Sequence, residues 1–152
     1  MLEIEITEHS LDSLIENMAD PRIISTSRER STDSEGKRII QYSLKLQYES
    51  ENLELPIEVI YFPDDNILGI AYLPEYQDPL LITPQAASNL DRWCFINFPD
   101  IDFRFGKNQL GFMMLGLIKE TRERNAYEVE CWISEFINFV PNLTQKIKKE
   151  IG

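Results

Sequence analysis

The sequence predicts an α+β domain built on a twisted antiparallel sheet with helices packed on one face. Strict two-residue alternation between Ile39 and Tyr72 carries that prediction, together with helical spacing at both ends and a proline-initiated helix in between. Ile40, Tyr42, Leu44, Leu46 and Tyr48 alternate with Gln41, Ser43, Lys45, Gln47 and Glu49. Leu53, Leu55, Ile57, Val59 and Tyr61 repeat the pattern, as do Leu68, Ile70 and Tyr72. Successive strand residues face opposite sides, so the sheet has one dry and one wet face. A solvated face favours an antiparallel meander over parallel strands, which are covered on both sides.

Taken in order, Leu11, Leu14, Ile15 and Met18 mark one face of a short helix, capped by Thr7 or Ser10 and stopped at Asp20-Pro21. Before it, Leu2, Ile4 and Ile6 form a short extra strand or an extended arm. Ile23 to Arg28 forms the first strand, and Ser31 to Gly36 an exposed, mobile loop. The three alternating strands follow. Pro56 has no N–H for a ladder and predicts an edge or outward-facing site. Thr83-Pro84 starts a helix with Ala86, Leu90, Trp93 and Asn97 along one line. Ile101, Phe103 and Phe105 then alternate as a strand. Gly106-Lys107-Asn108 turns the chain, and Gln109 to Leu117 returns as an apolar run that should be central or covered on both faces. In the last helix Val129, Trp132, Ile133, Phe136, Ile137 and Val140 share a face. Pro141 must kink or break it, and Leu143, Ile147 and Ile151 continue beyond. The predicted order is α-β-β-β-β-α-β-β-α, a three- or four-strand meander plus a hairpin, in one domain spanning 1–152.

At 152 residues with 43% hydrophobic and 27% charged residues, the chain can bury a core without disulfides or metal. No stretch approaches the ~20 apolar residues that span a bilayer, and the acidic start lacks a secretion-signal layout, so a cytoplasmic, non-membrane protein is expected. A net charge of −11 argues against nucleic acid, since phosphate contacts need clustered Lys and Arg. Arg22, Arg28 and Arg30, and Lys146, Lys148 and Lys149, are the only basic clusters.

Chemistry is sparsely signalled. His9 is the only histidine, and Cys94 and Cys131 the only cysteines; the cysteines sit on apolar helix faces that disfavour a thiolate. This set cannot form an ordinary structural zinc site. Asp64-Asp65 and Asp100/Asp102 could bind a cation or move protons only by converging, and their contexts are a turn and a strand's wet face. Gly106, Gly111 and Gly116 form neither a P-loop nor a dinucleotide fingerprint. No catalytic residue, metal or cofactor is therefore expected. Aromatic and methionine density from Trp93 to Met114 exceeds what one helix face and one sheet face must hide. Trp93, Phe95, Phe98, Phe112 and Met114 form the candidate protein-contact surface, as a homodimer seam or a peptide groove.

The meander from Ile39 to Leu73, the segment Ser88-Asn89-Leu90-Asp91-Arg92-Trp93, Asp102-Phe103-Arg104-Phe105, the return strand and the helix from Asn125 together resemble the type III secretion chaperone-like fold. Within it the likeness is to YbjN-type proteins, described as bacterial sensory-transduction regulators. The resemblance implies a non-enzymatic protein-binding module, chaperone-like or regulatory, and typically an acidic homodimer. It carries over no site residue. The alternative from the residues is a ligand-binding protein or small enzyme with a pocket between helices and sheet, using Asp64, Asp65, Asp100 and Asp102.

Overall fold

Among the described residues, three helices and six strands follow one another in the order α-β-β-β-β-α-β-β-α. The computed structural model describes residues 4–48, 53–72, 84–97, 103–107 and 113–151. Helix α1 spans Glu8–Glu16, followed by β1 (Ile23–Thr32), β2 (Arg38–Tyr48), β3 (Leu53–Phe62) and β4 (Ile67–Tyr72). Helix α2 (Pro84–Asn97), β5 (Phe103–Lys107), β6 (Met113–Glu120) and α3 (Ala126–Ile151) complete the chain. The sheet order is β1-β2-β3-β4-β6-β5, and every neighbouring pair is antiparallel. Since β4 and β5 both run antiparallel to β6, they are parallel to each other. Helix α2 lies on the connection between them, and β6 slots into the gap.

Alternation sets the dry face. Ile40, Leu44, Leu46, Ile57, Val59, Leu68 and Ile70 are fully buried, facing Leu11 of α1, Leu90 of α2 and Val129, Ile133, Phe136 and Phe139 of α3. The inward-facing residues pair across β2 and β3, where Leu44 faces Ile57 and Tyr42 faces Val59. Pro56 lies in the interior strand β3, opposite Lys45 of β2. It lies one residue beyond Ile57–Tyr72, the last described pair of β3 with β4.

Both candidate caps of α1 are used. Thr7 is the N-cap and accepts from Ser10 N–H (3.1 Å), while Ser10 Oγ accepts from Thr7 N–H (2.8 Å) and donates to Glu5 O (2.7 Å). Of the expected strand or arm, Leu2 lies outside the described residues; the segment from Ile4 to Ile6 is an arm, joined to the start of α3 by an isolated bridge between Glu5 and Asn125. Strand β1 runs four residues beyond Arg28, to Thr32. The turn after it is tied down by Asp33, whose Oδ1 accepts from Glu35 N–H (2.8 Å) and Lys37 N–H (2.9 Å), with Gly36 at φ 80°. Gly106 and Lys107, expected to turn the chain, lie inside β5 opposite Met114 and Met113.

Pro141 does not break the last helix, which is one element of 26 residues, about 39 Å long at ~1.5 Å per residue. A proline at this position leaves the carbonyl four residues earlier without its helical donor. That carbonyl is Ile137 O, and Tyr48 OH from β2 donates to it at 2.6 Å. The donor that the helix lacks therefore comes from the sheet beneath it.

Candidate functional site

The predicted contact surface divides into parts with different fates. In α2, Ala86, Leu90 and Cys94 are buried. Trp93 is half-buried and stacks on Phe139 of α3, with ring centroids 5.7 Å apart. Trp93 therefore helps to clamp α2 onto the core. Asn97, expected on the same line, is exposed, and its amide donates to Trp93 O (2.9 Å) at the helix end. Phe95 stands roughly 180° round the helix from Ala86 at ~100° per residue; it is 73% exposed, and Ile96 is 67% exposed. Met114 takes a position on β6 opposite Gly106. Phe98 and Phe112 lie outside the described residues.

A second apolar surface was not singled out in the sequence. On the outer sheet face, cross-strand register lines up Ile60 of β3, Gly69 of β4 and Ile118 of β6, with Phe62 and Ile67 in the next row. Ile118 is 63% exposed and Ile67 37%, while Ile60 and Phe62 are half-buried. Gly69 has no side chain to fill the space between Ile60 and Ile118. The described helices pack on the opposite face, so this strip faces away from the core. Toward β1 the same face turns polar. There Glu58 accepts from Ser43 Oγ (2.6 Å) and Gln41 Nε2 (2.9 Å). The outer face is thus polar over β2 and Glu58 of β3, and apolar at Ile60, Phe62, Ile67 and Ile118, with Glu120 of β6 closing the Phe62–Ile67 row. The sequence carried the signal in Ile60, Phe62 and Ile118, each out of phase with the buried positions of its own strand.

Of the candidate carboxylates, Asp64 and Asp65 are each engaged by a cation at the start of β2. Asp64 binds the Arg38 backbone N–H (2.8 Å) and guanidinium (2.9 Å), which hold its carboxyl below the usual range. Asp65 pairs with Lys37 at 3.0 Å. These contacts fasten the β3–β4 turn to the start of β2. Asp100 and Asp102 lie outside the described residues. The basic residues near the front are likewise paired, Arg22 with Asp20, Arg28 with Glu8 and Asp12, and Arg30 with Glu8. Cys94 is buried, and burial pushes its thiol up to about 12, which removes it as a nucleophile near neutrality. Cys131 is half-buried and bonds Tyr127, whose phenol is raised as a result.

His9 is exposed and borders a cavity of about 400 Å³ between α1 and α3, shared with Ser13, Leu14, Ala126 and Glu130. A larger cavity, about 650 Å³, opens at the sheet end beside Asn66, Thr121 and Asn125. Among the described residues no group of His, Cys, Asp and Glu is arranged to hold a metal ion. No described helix is long and apolar enough to cross a membrane. In comparisons with known proteins, no family model matches the chain, and no curated protein or solved structure matches it either.

Proposed function

We infer that the protein is a non-enzymatic, cytoplasmic protein-binding module, homodimeric and chaperone-like or regulatory in role. The observation that carries this reading is the apolar strip Ile60, Phe62, Ile67 and Ile118 on the sheet face away from the helices. A contiguous exposed apolar surface rimmed by polar groups is the usual mark of a protein contact. Phe95 and Ile96 supply a second exposed apolar pair on α2. The pairing of Asp64 and Asp65 with Arg38 and Lys37, and the suppressed Cys94 thiol, speak against those residues as a reaction centre. The resemblance to chaperone-like proteins points the same way on element order alone.

Light scattering at micromolar concentration tests the dimer. The expected mass is twice that of the 17.8 kDa chain, falling to the monomer in Ile118→Asp or Phe95→Asp. Whichever variant dissociates identifies the self-contact, and the other surface is then the one open to a different protein. A wild-type chain that stays monomeric across the concentration range removes the homodimer.

A further inference from the structure

The 650 Å³ cavity lies where the β3–β4 turn, the chain after β6 and the N-terminal arm meet. Thr121 borders it and is only 6% exposed. Its N–H donates to Asn66 O (2.9 Å) and its carbonyl accepts from Arg124 N–H (3.2 Å), but no described group bonds its hydroxyl. Among the described residues no side-chain oxygen or nitrogen is both sealed away and unpaired, so this hydroxyl opens on the cavity, not on the core. A hydroxyl of a largely buried residue that opens on a cavity without a protein partner is a group that water or a ligand can satisfy.

The surroundings specify the ligand's chemistry. Asn125 caps α3, its Oδ1 accepting from Glu128 N–H (3.0 Å), which leaves its amide NH₂ as a donor. The positive end of the helix dipole lies beside it. Ala126 N–H is already taken by Ile4 O (2.9 Å), so the helix contributes field more than a free N–H nest. Arg122 adds a guanidinium on the rim, 4.0 Å from Glu120; Arg124 adds another but also pairs with Glu128 (2.9 Å). Hydroxyl, amide and guanidinium donors together suit an oxyanion. Glu5 and Glu123 border the same space, so the lining's two arginines are offset by two carboxylates. That balance disfavours a polyanion and suits a single anionic group on a small molecule. Asn66 (φ 55°) and Glu123 (φ 61°), the positive-φ non-glycine residues of the described chain, both stand at this cavity. Conformations of that kind concentrate where a site must be shaped.

We propose that this cavity binds a small organic oxyanion, a carboxylate or a phosphate monoester, through Thr121, Arg122 and Asn125. This site is separate from the apolar strip and does not rest on the protein-binding reading. Two-dimensional ¹⁵N–¹H NMR of the full chain tests it, with inorganic phosphate and acetate titrated separately at constant ionic strength. Saturable shifts are expected at the Asn66 and Thr121–Tyr127 amides, and binding is expected to be about tenfold weaker in Thr121→Val and in Arg122→Gln. The tighter probe decides between phosphate and carboxylate. Arg122 is on the exposed rim, so Arg122→Gln keeps the test valid if Thr121→Val fails to fold. Shifts that fail to saturate with either probe, or that are unchanged in Arg122→Gln, overturn the proposal.

Discussion

The two faces of the sheet come from the same strands but treat polar atoms in opposite ways. On the inner face, Tyr42, Tyr48 and Tyr61 carry hydroxyls into the packed layer, and each donates to a different element. Tyr42 OH donates to Asp12 of α1 (2.5 Å), Tyr48 OH to Ile137 O of α3 (2.6 Å) and Tyr61 OH to Ile6 O of the arm (3.2 Å). Burial, reinforced at Tyr42 by Asp12, raises the Tyr42 and Tyr61 phenols, so both remain donors across the physiological range. On the outer face, the polar groups Gln41, Ser43 and Glu58 pair across neighbouring strands. The inner face is therefore specified by contacts between layers, and the described side-chain hydrogen bonds of the outer face run within its own layer. The inner face should be intolerant of change, and the outer face free to serve a partner.

The sharpest way to break the inner face is to empty its centre. Phe136 is fully buried, and Phe136→Ala should destabilise the chain by about 3–5 kcal/mol, read by urea denaturation. A loss below ~1 kcal/mol would mean that α3 packs loosely on the sheet and that the contrast between faces is overstated.

Tyr48→Phe comes next. It keeps the ring and deletes one hydroxyl, leaving Ile137 O buried without a donor because Pro141 has no N–H to offer. The expected cost is about 1–3 kcal/mol. In a Pro141→Ala background the new N–H can reach Ile137 O, so the same Tyr48→Phe change should cost less. A double-mutant cycle measures the difference; equal costs in both backgrounds would show that tyrosine and proline are not coupled.

This pair also shows where the sequence stops being legible. The period-2 pattern discloses which residues of β2, β3 and β4 face inward, because face is a local property of the strand. It discloses nothing about which strand lies beside which, so the insertion of β6 between β4 and β5 was not readable from the run Gln109–Leu117 beyond its being central. Pro141 reads locally as a helix breaker. Only Tyr48, 89 residues before Ile137 in the chain, shows how the helix survives it. The candidate contact residues divide for the same reason. Helical spacing already sets Trp93, and not Phe95, on the line of Ala86 and Leu90, but only the fold shows that Trp93 stacks on Phe139 of α3. Thr121 carried no sequence signal, since a single threonine after a strand is ordinary until its hydroxyl is found without a partner.

A smaller effect tests the seam between the first strand and the last helix. Arg22 bonds Asp20 (2.7 Å) and reaches Asn138 of α3 (2.7 Å). The hydrogen bond from Arg22 holds the Asp20 carboxyl below its ordinary value of 3.8. A depressed folded value means that the carboxylate's stabilisation is fully present above the unfolded value and is lost as pH falls through the folded one. With Arg22 a third exposed, solvent screening limits the gain to about 1 kcal/mol or less. The melting-temperature gap between wild type and Asp20→Asn should be constant near neutrality and close on acidification below about pH 4. A gap that persists at the lowest pH would assign the effect to packing and not to charge.

The smallest stability change is expected on the outer face. Ile118 is 63% exposed and its neighbour across β4 is Gly69, so Ile118→Ser removes little buried area and opens no cavity. Denaturation should shift by no more than about 0.5 kcal/mol. If the outer strip is a contact surface, the same substitution weakens association while leaving the monomer's stability intact. If Ile118→Ser instead costs as much as a core truncation, the strip is covered by part of the chain itself. The two faces would then differ only in what buries them.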